Sequence, residues 1–243
     1  MMALARDKQP REGGFLLVNK PRGMTSHDVV AAIRRTLAAG NRQPVSRVGH
    51  AGTLDPMATG LLIVGIGSAT KALGKTTKLP KTYEAEVTLG ATSTTDDAEG
   101  AIRAWGMGHG AWNPPTHKDI KNTLEEFRGT TEQVPPAYSA VKIRGVPAYR
   151  RARRGESFVL KPRRVTIPEI TLVSYEYPVL RIRCTVSSGT YIRALARDIG
   201  KRLGTGGYLS WLERTRIGMY RLEDAVPLSG VGTSSLITHL SNH

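Results

Sequence analysis

Gly49-His50-Ala51-Gly52-Thr53-Leu54-Asp55-Pro56-Met57-Ala58-Thr59-Gly60 is a glycine-punctuated stretch with one carboxylate at its centre. Glycines at 49, 52 and 60 permit backbone angles closed to other residues, and Pro56 disfavours a helical Asp55. The apolar run Leu61-Leu62-Ile63-Val64 follows at once. The pattern predicts Asp55 held in a fixed, non-helical position on the lip of a strand. Two readings of that carboxylate stand on the loop alone. Asp-Pro is an ordinary turn opener, and a carboxylate presented this way also suits chemistry.

The rest of the composition narrows the choice. With 243 residues the chain can bury roughly 70–75% of its unfolded surface, enough for one domain with an elaborate periphery. Lys and Arg number 35 against 20 Asp and Glu, a formal charge of +15. So basic a chain repels itself when compact, and an anionic partner, nucleic acid first, is the economical explanation. A membrane fits less well. The longest apolar stretch, Leu61 to Ile66, is far short of the ~20 residues that span a bilayer. Met1–Lys8 has no apolar core for a signal peptide. Cys184 is the only cysteine, so no intrachain disulfide forms, and the cytoplasm is the expected compartment. The histidines at 27, 50, 109, 117, 239 and 243 have no metal-ligand spacing.

Along the chain, residues 1–14 are polar and expected to be flexible. Phe15–Val18 reads as a buried strand, and a helix is expected from Thr25 or Ser26. Thr25 and Asp28 fit a capping box there, and Val29, Ile33 and Leu37 recur at helical spacing. Ala39 to Arg47 is a basic connector. Gly74-Lys75-Thr76 invites comparison with a phosphate-binding P-loop, but the first glycine of that pattern is Ala69 here. Tyr83, Ala85, Val87 and Leu89 alternate with polar residues as in a half-buried strand. A polar loop spans 92–100. Trp105, Trp112 and Pro114-Pro115 mark an irregular stretch, and Ile120, Leu124 and Phe127 a short helix. Ile170–Tyr175 and Val179–Val186 read as strands. A helix follows with Ile192, Leu195, Ala196, Ile199 and Leu203 facing inward and Arg193 and Arg197 elsewhere on the cylinder.

Residues 128–164 differ in character. Arg144, Arg150, Arg151, Arg153, Arg154, Lys161, Arg163 and Arg164 crowd there, interleaved with Tyr138, Tyr149 and Phe158. Such a run is either a solvated face or a surface that grips phosphates and stacks on bases. RNA gripping is the preferred reading, because the segment carries much of the excess charge.

In this order the pieces resemble the TruB family of tRNA pseudouridine synthases, which isomerises the T-loop uridine at tRNA position 55. The resemblance rests on Lys20–Ser26, residues 49–60, Lys81-Thr82-Tyr83, Val134–Val141, Ser188–Arg193 and Leu209–Arg216. It implies an α+β pseudouridine-synthase fold, with a mixed, mainly antiparallel central sheet flanked by helices. It also implies a catalytic domain over 15–220 with 128–164 as an RNA-clasping insertion. Asp55 falls on the catalytic aspartate, Arg193 on its arginine partner and Tyr83 on the tyrosine that stacks against the target uracil. His50 falls on the histidine that occupies space vacated by the flipped base. Leu212 matches an apolar contact beneath the base and Arg214 a basic residue near the RNA backbone. Tyr191 matches a packing or substrate contact, and Lys71 a phosphate contact. The loop after Tyr83 departs from the pattern, with Ser93-Thr94-Thr95 where relatives often have Thr-Asp-Thr. Many relatives end in a separate RNA-binding PUA domain. Residues 221–243 form only a short tail, so affinity is expected to rest on 128–164.

The implied reaction detaches uracil from C1′ at N1 and rejoins it through C5. It oxidises nothing and requires neither metal nor cofactor. The partner implied is the T-arm of tRNA, with no membrane and no obligatory protein partner. Asp55 acts as a nucleophile only when ionised. Burial opposes ionisation and a neighbouring guanidinium restores it. Attack at C1′ and at C6 are both compatible with these residues. A non-catalytic RNA-binding factor would account for the charge, but not for Asp55, Tyr83 and Arg193 together.

Overall fold

A computed structural model describes residues 13–40, 47–106 and 113–231. Most of the expected flexible N-terminus (1–12), most of the basic connector (41–46), Trp112, and residues 232–243 of the tail lie outside the described residues. In chain order, strand β1 (Phe15–Lys20) leads to helix α1 (Ser26–Gly40), then β2 (Val48–Ala51) and β3 (Thr59–Ile66). Short helix α2 (Leu73–Thr77) precedes β4 (Lys81–Leu89) and a small hairpin, β5 (Ala91–Ser93) and β6 (Ile102–Ala104). Helix α3 (His117–Glu126) opens the basic segment of β7 (Gly129–Gln133), β8 (Lys142–Ile143), β9 (Val146–Pro147), α4 (Ala148–Arg153) and β10 (Arg163–Ile167). The chain returns through β11 (Glu169–Glu176), β12 (Val179–Val186), α5 (Ile192–Arg202), β13 (Gly207–Ile217), β14 (Tyr220–Arg221) and β15 (Val226–Pro227).

Among the described residues the main sheet has nine strands, with the path β11-β12-β4-β13-β3-β1-β15 and with β14 on β13 and β2 on β3. Only β1–β15 and β3–β13 pair in parallel. The architecture is α+β on a mixed, mainly antiparallel sheet, as expected. Side-chain period explains the two central strands. β4 alternates buried and half-buried along its length, as its sequence predicts. β3 is buried on both faces, and its apolar run shows no alternation. One face of β3 packs Leu62, Val64 and Ile66 under α1, through Val29, Val30, Ile33 and Leu37. The other packs Leu61 and Ile63 against Ile217. The expected capping box starts α1, with Thr25 Oγ1 accepting from Asp28 N at 3.1 Å and Asp28 Oδ2 accepting from Thr25 N at 2.8 Å.

Three departures from the sequence reading have physical reasons. First, Gly49–Ala51 is not loop: it lies in β2, where His50 pairs with Val64 and Ala51 with Ile63. The loop shrinks to residues 52–58. Second, residues 221–231, read as the start of a tail, are part of the domain: β15 pairs with β1 and Val231 packs into the α1 cluster. Third, Arg193 is buried, 6% exposed, although the helical period places it off the apolar stripe. The loop around Thr95–Asp97 and the carbonyl of Tyr138 cover that side of α5.

Helix α5 sits against the sheet at glycine distance. A Cβ at Gly200 would meet the carbonyl carbon of Gly206 and the nitrogen of Gly207, each at 2.3 Å. Ala at a helical glycine ordinarily stabilises by ~1 kcal/mol. Here the obstacle is backbone, and overpacking costs ~1–3 kcal/mol or more. Gly200→Ala is therefore expected to lower stability by ~1–3 kcal/mol in urea unfolding. A variant at least as stable as the wild type would contradict this close approach.

Lys81 opens β4 with its ammonium buried, donating to the carbonyls of Thr77 and Leu79, both at 2.7 Å. Burial first, then the neighbouring Arg214 charge, lowers its pKa from 10.5 to about 8. Between those values the unfolded chain holds the proton that the folded chain has released, so stability rises with pH across that window. Relative to Lys81→Met, which has no such proton, the wild type should gain in urea midpoint between pH 8 and pH 10. A constant difference across that range would contradict the assignment.

Candidate active site

The carboxylate loop is fastened on both sides of Asp55. Leu54 N donates to Ser26 Oγ at 2.9 Å, tying the loop to the start of α1. Gly23 N donates to Pro56 O at 2.8 Å, and Lys20 Nζ reaches Met24 O at 2.6 Å, Pro21 O at 2.9 Å and Pro56 O at 3.4 Å. Leu54 and Met57 insert into the core while the Asp55 side chain keeps 35% of its surface exposed. The loop holds its neighbours down and offers the carboxylate to solvent.

Arg193 comes to it from the first turn of α5. That end of the helix has no side-chain cap of its own, and Gln133 of β7 supplies one. Gln133 Oε1 accepts from Tyr191 N at 2.9 Å and its Nε2 donates to Tyr191 O at 3.1 Å. Arg193 Nε then lies 2.9 Å from Asp55 Oδ2. This is an ion pair at a skewed angle, since the Nε proton meets no acceptor in hydrogen-bond geometry. Nη1 lies 3.4 Å from Asp97 Oδ2 and donates to Thr95 O at 3.1 Å, while Nη2 donates to Tyr138 O at 3.1 Å. One buried cation thus faces two carboxylates. A surface pair would contribute ~0–1 kcal/mol; removing one partner of a buried set costs ~3–5 kcal/mol.

Asp96 and Asp97 escaped the sequence reading, which saw only a polar loop at 92–100. Asp97 is buried, and its Oδ1 accepts from Thr95 Oγ1 at 2.5 Å and from Glu99 N at 3.0 Å. Asp96 has φ +61°, a conformation Asp tolerates better than most residues. Its carboxylate holds Arg197 Nη1 at 2.8 Å. Burial raises the Asp96 pKa despite that cation. The usable signal was two adjacent acids in a loop preceded by four hydroxyl residues, Thr92 to Thr95. Lys20 was also missed as a site residue. Its side chain is wholly buried, and burial lowers its pKa to about 8 against the opposing charge of Asp55.

The other sequence-derived candidates divide. Tyr83, 7% exposed, and Leu212 lie in the same apolar cluster as Leu54 and Met57 of the carboxylate loop. His50 is half-buried on β2, edge-to-face with His27 at 5.5 Å between ring centroids. Its Nδ1 is buried without a hydrogen-bond partner among the described residues, and burial, then His27, lowers its pKa, favouring the neutral ring. Tyr191 packs on the apolar cluster of Val141, Ala148 and Leu160, joining the basic segment to α5. Lys71 is exposed in the helical turn that follows β3. Arg214 does not stand where an RNA backbone contact should. Its side chain is wholly buried, and its nitrogens are spent on backbone carbonyls of the carboxylate loop and of β3.

In the basic segment β7 and β10 pair as a separate two-stranded sheet, and α4 carries Arg150, Arg151 and Arg153. Arg150 and Arg153 flank the Tyr149 ring at 6.0 and 5.6 Å. Phe158 turns inward onto the small apolar cluster instead of outward.

A family model described as TruB family pseudouridylate synthase (N terminal domain) matches residues 40–192. A protein named tRNA pseudouridine synthase B from Thermobifida fusca (strain YX) is 46% identical over 239 residues, covering 94% of this chain and 77% of the relative. One of the same name from Mycobacterium sp. (strain KMS) is 45% identical over 231 residues, covering 93% of this chain and 74% of the relative. Among solved structures, a chain of a Cbf5-Nop10-Gar1 complex superposes with a TM-score of 0.69 at 28% identity, covering 92% of this chain and 56% of that one. The chain belongs to the TruB family of pseudouridylate synthases.

Proposed function

We propose that this protein isomerises uridine to pseudouridine in tRNA, at the T-loop uridine, with Asp55 as the nucleophile and the target base turned out of its stack. The observation that carries the reading is the Asp55–Arg193 pair at 2.9 Å, set in a loop whose flanking residues share an apolar cluster with Tyr83 and Leu212. The relatives' shared name supports tRNA as substrate.

Each side chain has a task in that reaction. Arg193, 2.9 Å from the carboxylate, holds the nucleophile in place for attack. Asp55 attacks the nucleotide at C1′ or at C6. The C1′–N1 bond breaks, the uracil turns, and a C1′–C5 bond forms. N1 ends with a proton and C5 loses one, so atoms and electrons balance without an oxidant. Tyr83 lays its ring on the uracil, and its hydroxyl helps to remove the C5 proton. Leu212 forms an apolar floor, and its neighbours keep the pocket dry. Extruding the stacked uridine costs a few kcal/mol, and His50 fills the gap left behind. Lys71 contacts a phosphate, and Tyr191 braces the clasp.

In this proposal residues 15–220 carry the catalytic residues and 128–164 grip the T-arm, while β15 adds an edge to the main sheet beside β1. The protein works in the cytoplasm on tRNA, and no protein partner is required. Binding should weaken steeply with salt, as expected when lysines and arginines displace counterions from phosphates.

An unmodified tRNA transcript, incubated with the protein and assayed for pseudouridine, tests the reading directly. Wild type should convert the T-loop uridine, and a transcript with cytidine at that position should gain no pseudouridine. Asp55→Asn should abolish conversion while holding tRNA affinity within about fivefold, since the change removes charge and little volume. Turnover by the Asn variant would remove Asp55 from the mechanism.

A further inference from the structure

Arg214 is the largest wholly buried side chain among the described residues, and no carboxylate among them lies within ion-pair distance of its guanidinium. Its donors go to backbone instead: Nε to Leu61 O at 2.8 Å, Nη2 to Gly52 O at 2.9 Å, and Nη1 to Thr53 O at 3.4 Å. Gly52 and Thr53 enter the carboxylate loop, and Leu61 lies just past its exit. One planar fork therefore bridges the two ends of the segment that carries Asp55.

The backbone of Arg214 serves the same segment. In β13 it pairs with Gly60 of β3 on one side and with Tyr83 of β4 on the other. Gly60 has φ +103°, and a Cβ there would meet Arg214 O at 2.4 Å. Gly52, at φ +76°, approaches from above, where a Cβ would lie 3.5 Å from Nη1 and 3.3 Å from Lys81 Cε. The loop thus lies on Arg214 at both ends, while the strand bearing Tyr83 runs along its far edge.

Burying a cation with only carbonyls for partners costs several kcal/mol, so its presence is weak evidence of a net stabilising role. Retaining the charge needs a reason other than stability. An RNA contact is not available to a side chain with no exposed surface. Three directional hydrogen bonds to one loop are.

We propose that Arg214 is a positioning residue: by tying Gly52, Thr53 and Leu61 together, it fixes the Asp55 carboxylate relative to the Tyr83 ring. The proposal rests on the catalytic reading of Asp55 given above. Lysine cannot replace it, because one ammonium on a shorter reach does not span Leu61 O and Gly52 O at once. Misplacement of a reacting group by ~1 Å can cost ~100-fold in rate.

The test uses the full chain, wild type and Arg214→Lys, with Arg214→Met as a second variant that keeps bulk without charge. Three measurements are made: hydrogen exchange of the peptide covering residues 52–61, affinity for an unmodified tRNA transcript, and the single-turnover rate of pseudouridine formation. The expected result is at least tenfold faster exchange confined to residues 52–61. Transcript affinity should stay within threefold, and the rate should fall by at least tenfold. Unchanged exchange at 52–61 overturns the proposal. So does weakened affinity with an intact rate, which would make Arg214 an RNA contact. Loss of a cooperative melt in both variants also overturns it, assigning the residue to global stability. If the wild type makes no pseudouridine, the catalytic reading falls, while the exchange measurement still decides whether Arg214 holds the loop.

Discussion

One guanidinium, that of Arg193, stands between Asp55 at 2.9 Å and Asp97 at 3.4 Å, almost out of contact with water. A cation so placed is costly unless its partners are fixed, and much of the surrounding architecture can be understood as fixing them. Asp97 is held by Thr95 and by the backbone of Glu99. Tyr138 and Thr95 lend carbonyls to the remaining nitrogens. Only Asp55 retains an open side, and that asymmetry distinguishes the carboxylate able to meet a substrate from the one that orients the arginine.

Fixing the arginine requires fixing its helix. Gly200 lets α5 lie on the backbone of residues 206–207, and Gln133 caps its N-terminus from the basic segment. The same glutamine therefore links the surface proposed to grip RNA with the helix that positions the ion pair. Beneath the loop lie three buried cationic side chains, Lys20, Lys81 and Arg214, whose donors go to backbone carbonyls. They hold nearby turns and both ends of the segment around Asp55 without offering it a second competing ion pair at contact distance.

Much of the frame was legible in the sequence, because β4 alternates with period two and α1 and α5 repeat at helical spacing. The glycines and proline of residues 49–60 marked Asp55, and the ordered motifs around it pointed to the family. Some features were not legible for physical reasons. The burial of Arg193 is a tertiary effect: helical period places it off the apolar stripe, and a distant loop covers it. Asp97 shares no periodic pattern with the residues it joins. Arg214, in a charged run of a strand, looked like a surface cation because burial of a guanidinium on carbonyls leaves no trace in composition. Phe158 turned inward for a similar reason, as the basic segment needed a small core of its own.

The most direct measurement of the central claim is the single-turnover rate of pseudouridine formation by Arg193→Gln on an unmodified tRNA transcript, with enzyme in excess and saturating. Removing the cation leaves Asp55 and Asp97 without a shared counter-charge, and loss of one such preorganised group costs ~100–1000-fold in rate. The account predicts a fall of at least ~100-fold with transcript affinity within threefold of wild type. A rate within threefold of wild type in a folded variant would contradict it.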